Sequence, residues 1–194
     1  MVFNIPIILT LIRLALIPLF VWVMYFPDRW LSMPTAGLTA AGIFVAAAIT
    51  DAFDGYLARK WNQTTAFGAF LDPVADKLMV MAALIVLVDL QRAPSVLALV
   101  IIGREITISA LREWMAQIGK SANVAVSTLG KVKTIAQMIA IPFLLYDKLL
   151  FEVIDCHMIG SIALWIAALL TLVSMAYYLR VAIDAGVTHG DDLH

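Results

Sequence analysis

The stretch TDAFDGYLARKWNQTTAFGAFLDPVADK, residues 50–77, carries four carboxylates: Asp51, Asp54, Asp72 and Asp76. It sits in a chain of 194 residues that is 63% hydrophobic and only 14% charged. Soluble domains carry about 25% charged residues. The run before it, Trp30 to Thr50, holds no charged residue, and neither does Met158 to Leu179. Each run is long enough to cross ~30 Å of hydrocarbon as a helix. The acids therefore stand where a membrane helix ends and another begins. A soluble helical domain of unusual apolarity is the lesser alternative.

Outward from this stretch the pattern predicts an all-α integral membrane protein. Six transmembrane helices are expected at roughly 7–26, 33–59, 69–89, 94–117, 129–147 and 158–182, after a short N-terminal surface segment around Asn4–Pro6. The breaks fall at FPDRW (26–30), QRAP (91–94) and YDKLLFEVID (146–155). No linker and no internal repeat interrupts residues 1–194, so a single domain is expected. MVFNIPIILT has no basic n-region and is not read as a removable signal. The one cysteine, Cys156, excludes an intrachain disulfide. The net charge of −1 says nothing for nucleic acid, no long basic run is present, and no nucleic-acid partner is expected.

Lys and Arg set the orientation, because cytoplasmic loops carry the excess. Arg29, Arg92 and Lys148 fall on one side, and the other ten basic residues lie nearer the opposite ends. Arg13 and Arg104 lie well inside their helices, yet the imbalance survives without them. Both termini and the turn around Arg59 to Thr65 are expected in the cytoplasm. Asp51 lies eight residues before Arg59, about 12 Å along a helix axis. The four acids should face inward near the cytoplasmic boundary, since ionisable groups at that depth need a cavity or a partner.

Asp51 and Asp54 are three apart, and Asp72 and Asp76 four apart, so each pair shares a helix face. Converging carboxylates repel. Protonation or basic partners could relieve this, but divalent metal fits best. Hard oxygen ligands suit Mg²⁺ or Mn²⁺. Four carboxylates can hold two ions, and two ions about 3.5–4 Å apart stabilise the attacking and leaving oxygens of a phosphoryl displacement. Gly55, Ala58 and Gly68 would let a helix or a phosphate approach closely. Arg59 can pair with phosphate, and Thr65 offers a hydroxyl at the turn. Helix packing accounts equally for the glycines, and charge-driven topology equally for Arg59.

From Asp51 to Asp76 the chain reads D-x2-D-G-x2-A-R-x8-G-x3-D-x3-D. This resembles the signature of the CDP-alcohol phosphatidyltransferases at every position. The resemblance implies a six-helix membrane enzyme, usually a homodimer in the bacterial inner membrane. It would use divalent metal to move a phosphatidyl or phospho-alcohol group from a CDP-linked donor to a hydroxyl, releasing CMP. It implies Asp51, Asp54 and Asp72 as metal ligands, Asp76 as ligand and proton acceptor, and Gly55, Arg59, Thr65 and Gly68 in the CDP site. A metal-bound carboxylate is a weak base, while neighbouring carboxylates push the other way. The metal can itself acidify the acceptor hydroxyl, leaving Asp76 to collect the proton.

NIPIILTLIR (4–13), GREITISALREWM (103–115) and LGKVKT (129–134) are similar to bacterial members that take glycerol 3-phosphate as acceptor and CDP-diacylglycerol as donor. The resemblance suggests that Asn4, Pro6 and Thr10 cover the nucleotide; amphipathic anchoring is the alternative. A dianionic acceptor needs a basic pocket. Arg112, Lys131 and Lys133 lie near the cytoplasmic ends of their helices, and Arg104 could join them with Glu105 as counter-ion. Arg suits bidentate phosphate contacts and Lys supplies a point charge. Topology alone is the competing account of these cations. Rival readings keep the family with serine, inositol phosphate or phosphatidylglycerol as acceptor, or replace it with an intramembrane prenyltransferase or a cation transporter.

Overall fold

The computed structural model describes residues 5–26, 32–60, 66–117 and 128–191, with most of their side chains. Among them are six helices: α1 (Ile5–Tyr25), α2 (Met33–Lys60), α3 (Ala66–Asp89), α4 (Ser95–Gln117), α5 (Thr128–Tyr146) and α6 (Cys156–Asp191). The all-α expectation holds, with helix ends mostly within a few residues of those expected. Pro6 belongs to the first turn of α1 rather than to a separate surface segment, a position that needs no backbone N–H. Asn4 lies outside the described residues. At the other end α6 runs on to Asp191, well past the expected stop at 182.

Among the described residues, three helices are long and apolar enough to cross a membrane: Ile7–Tyr25, Met33–Asp51 and Cys156–Arg180. The apolar part of α5, Val132–Tyr146, is shorter. The remaining two, α3 and α4, are interrupted by Asp72, Asp76 and Lys77 and by Arg104, Glu105, Arg112 and Glu113. The residues that lower their hydropathy are thus largely the candidate site residues. Apolar side chains also cover the outside. Ile8, Leu11, Ile12 and Leu19 on α1 and Ile162, Trp165, Leu169 and Val173 on α6 are all exposed. In water such a surface would be an aggregation hazard, and in lipid it is the solvated face.

The chain forms two compact units. The first draws on Met1–Ala93 and Ala140–Ser161. Here α1 packs against both α2 and α3. The buried faces combine large residues, Phe20, Met24, Phe44, Leu84 and Leu87, with the small Ala36, Ala40, Ala47, Ala75 and Ala83. Lipid removes the hydrophobic drive between helices, so close backbone approach through small residues carries the packing. Gly37 is the tightest such point: a Cβ there would stand 2.5 Å from the Leu145 carbonyl oxygen.

Helix ends in this unit are closed by local hydrogen bonds. After α3, the Arg92 amide donates to the Leu87 carbonyl at 2.8 Å and the Gln91 amide to Val88 at 3.0 Å, with Gln91 at φ 57°. This is a Schellman stop. The Arg92 guanidinium then donates to the Leu145 carbonyl at 2.6 Å and pairs with Asp147 at 3.0 Å, capping α5. The 146–155 break, read from sequence only as a loop, holds a small hairpin: β1 (Leu149–Leu150) pairs antiparallel with β2 (Ile154–Asp155). Asp155 Oδ1 then accepts the Met158 amide and caps α6.

The second unit draws on Pro94–Ile139 and Ile162–His194. Its buried residues include Leu97, Ile101, Ile108, Leu164, Ala167 and Tyr178. Arg104, Lys133, Gln137, Thr171 and Ser174 are buried with them. That density of buried polar groups sets this unit apart from an ordinary membrane core.

Candidate active site

In the first unit, α1 supplies the partners of the acids. Thr10 and Arg13 lie three residues apart, on one helix face, and both are fully buried. Arg13 Nη1 donates to Asp51 Oδ1 at 2.6 Å, reaching from α1 to α2. Thr10 Oγ1 donates to Asp72 Oδ1, reaching from α1 to α3. Asp51 stays 42% exposed, so its carboxylate also faces outward from this pairing. Asp76 follows Asp72 by about one turn of α3 and is partly buried. Pro73 stands between the two acids and lacks an amide proton, which leaves the Ala69 carbonyl without its usual helical donor.

Gly68 is buried at the start of the same helix. Asp54, Gly55, Ala58 and Arg59 belong to α2, but their side chains fall outside the described residues, as does all of Thr65. Among the described residues no three Asp, Glu, His or Cys side chains form a metal-binding group. Two acids, Asp51 and Asp72, are seen tied to one face of α1.

In the second unit the structure brings together three of the four expected acceptor-site cations. Arg104 is 6% exposed; its Nη1 donates to Glu105 Oε1 at 3.2 Å and its Nη2 to Ser174 Oγ at 3.3 Å. Its Nε has no hydrogen-bond partner among the described residues. Lys133, from α5, pairs with the same Glu105 Oε1. Glu105 is thus the counter-ion expected for Arg104, and it serves Lys133 as well. Arg112 donates to the Tyr178 hydroxyl at 3.4 Å. The guanidinium carbons of Arg104 and Arg112 lie 5.8 Å and 5.6 Å from the Tyr178 ring centroid, within cation–π range. Lys131 is on α5, with its side chain outside the described residues.

Sequence reasoning did not assign Arg13, Ser174 or Tyr178 to a site. Arg13 carried a signal, a charge well inside an apolar run. Ser174 and Tyr178 are four apart on α6 and share a face, but neither stands out in SMAYYL. Their role shows only once α4 is packed against them.

A family model for CDP-alcohol phosphatidyltransferases matches residues 3–173. The chain belongs to that family. It is 54% identical over 184 residues to the CDP-diacylglycerol–glycerol-3-phosphate 3-phosphatidyltransferase of Pectobacterium atrosepticum, covering 94% of this chain and 96% of the relative. Proteins of the same name from Salmonella typhimurium and Escherichia coli K12 are 50% identical over the same shares.

Proposed function

We propose that this protein transfers the phosphatidyl group of CDP-diacylglycerol to glycerol 3-phosphate, giving phosphatidylglycerol phosphate and CMP. The observation that carries the reading is identity of 50–54% over 94% of the chain to relatives bearing that activity in their names. The unbroken D-x2-D-G-x2-A-R-x8-G-x3-D-x3-D pattern supports the donor half. In the displacement, an acceptor hydroxyl oxygen attacks the phosphorus bearing diacylglycerol. The bond from that phosphorus to the CMP oxygen breaks, and the hydroxyl proton passes to Asp76.

The donor chemistry of the first unit fits divalent cations. Its side chains are hard carboxylate oxygens, and Asp51 already accepts a cation, the Arg13 guanidinium. Asp51, Asp54, Asp72 and Asp76 would hold Mg²⁺ or Mn²⁺, two ions by the carboxylate count. Bound there, they would neutralise the diphosphate and acidify the acceptor hydroxyl. Arg59 pairs with the donor's phosphates, and Gly55, Ala58 and Gly68 leave room for them. Asn4, Pro6, Thr10 and Thr65 complete the nucleotide's surroundings.

The second unit fits an anion. Among the described residues, Arg104, Arg112 and Lys133 bring three positive charges together, Glu105 pairs with two of them, and the buried Arg104 Nε has no hydrogen-bond partner. These groups, with Lys131, orient the acceptor by its phosphate, remote from the reacting hydroxyl. The protein acts as a homodimer and a single catalytic domain in the bacterial inner membrane, with both termini and the site in the cytoplasm. The family resemblance supports the dimer, and the distribution of Lys and Arg supports the sidedness. Purified protein given CDP-diacylglycerol should release CMP with glycerol 3-phosphate. Release with serine, inositol phosphate or phosphatidylglycerol in its place would overturn the acceptor.

A further inference from the structure

We infer that Arg13 is a positioning residue for the reaction: its guanidinium holds Asp51 in the orientation this acid needs to serve the divalent-ion site. The inference rests on the metal reading proposed above. A cation inside an apolar membrane helix costs free energy and persists where a partner or a function repays it. Arg13 is 1% exposed, and its Nη1 reaches Asp51, the first acid of the motif, at 2.6 Å. One helical turn earlier Thr10 does the same for Asp72, the first acid of the second pair. One face of α1 therefore holds the leading acid of each half of the motif, across sequence separations of 38 and 62 residues. A helix contact in lipid needs no such groups, because small apolar residues serve it, as they do elsewhere between these helices.

The geometry also explains the choice of arginine. A guanidinium is planar and donates along fixed directions, so its Nη1 fixes where Asp51 Oδ1 lies as well as neutralising its charge. Lysine carries the same charge as a point on a flexible stem. Arg13→Lys should therefore preserve the charge and the fold but lose the directional hold on Asp51. Arg13→Gln removes the charge and keeps one donating NH2 group.

The test uses full-length protein in lipid nanodiscs. Mn²⁺ binding is followed by electron paramagnetic resonance, and the Mg²⁺ dependence of CMP release is measured in parallel. Arg13→Lys should weaken Mn²⁺ binding at least about tenfold and raise the half-activating Mg²⁺ concentration to match. The KM for glycerol 3-phosphate should stay within about twofold. Arg13→Gln should weaken Mn²⁺ binding as well. Asp51→Asn is the reference. If it weakens Mn²⁺ binding while Arg13→Lys leaves binding unchanged or tighter, the metal reading stands and the role given to Arg13 falls. If Asp51→Asn itself leaves Mn²⁺ binding unchanged, the metal reading falls. If neither Arg13 variant yields folded protein, Arg13 is a packing residue and the inference is overturned.

Discussion

Asp51 and Arg104 show how single residues here serve at once as fold and as chemistry. Asp51 ties α2 to α1 through Arg13 and is also the first carboxylate of the motif. Under the two-ion reading, chelator should remove activity, and Mg²⁺ or Mn²⁺ should restore it. Asp51→Asn and Asp72→Asn should each lower turnover on the order of a thousandfold, several kcal/mol of lost charge stabilisation. Brisk CMP release in excess chelator would count decisively against it. In the second unit, Arg112 and Arg104 share the Tyr178 ring. A charge-assisted hydrogen bond is worth roughly 1.5–3 kcal/mol. Arg112→Ala should then raise the KM for glycerol 3-phosphate by about tenfold to a hundredfold. Tyr178→Leu should raise it less, about threefold to thirtyfold, and Tyr178→Phe less still, because the ring faces both cations while the hydroxyl adds one long hydrogen bond from Arg112 at 3.4 Å. The KM for CDP-diacylglycerol should hardly move in any of them. Steady-state kinetics varying each substrate in turn decides the matter, and unchanged acceptor kinetics would leave these cations as topology signals.

At the scale of elements, α2 is the helix whose spacing matters most, since it carries the first acid pair. Its Gly37 meets the end of α5 at the Leu145 carbonyl, and a methyl group there would sit 2.5 Å from that oxygen. The backbone must shift to admit it. Overpacking of this kind costs about 1–3 kcal/mol, and for a chain of this size each kcal/mol moves the Tm by roughly 2–4 °C. Gly42 lies on the same helix, where an added Cβ meets nothing within 4 Å. Gly37→Ala should lower the unfolding temperature in detergent, while Gly42→Ala should hold or raise it, since alanine is the better helix former. A Gly42→Ala variant as damaged as Gly37→Ala would mean that close contact with the end of α5 is not what constrains Gly37. The helices themselves were legible in the sequence, because apolar runs and charged breaks bound them closely. The hairpin at 149–155 was not. Its turn places Phe151 and Glu152 at positive φ, which no Gly or Asn signals.

For the whole molecule the decisive property is sidedness. CDP-linked donors are soluble-headed lipids, and a site that uses them has to open on the side where they are made. In a Cys156→Ala background, Asn62→Cys should react with an impermeant thiol reagent only from the cytoplasmic side, and Asp28→Cys only from the outside. The reverse pattern would place the acids on the wrong face and undo the functional assignment, whatever the kinetics of the purified protein.

Spacing alone was enough to expose the acid motif, because residues three or four apart on a helix share a face wherever that helix packs. Apolar runs were enough to mark the helices, because a segment in hydrocarbon must satisfy its own backbone. Which faces meet was a different matter. In water, an amphipathic stripe tells the buried side of a helix from the exposed one. Here Phe20 is buried and Leu19 exposed on the same helix, and both are apolar. Lipid and protein interior ask for the same residues, so the pattern is silent about packing. The pairing of Arg13 with Asp51, of Thr10 with Asp72 and of Arg104 with Ser174 spans 38, 62 and 70 residues. Only the packed helices could decide it.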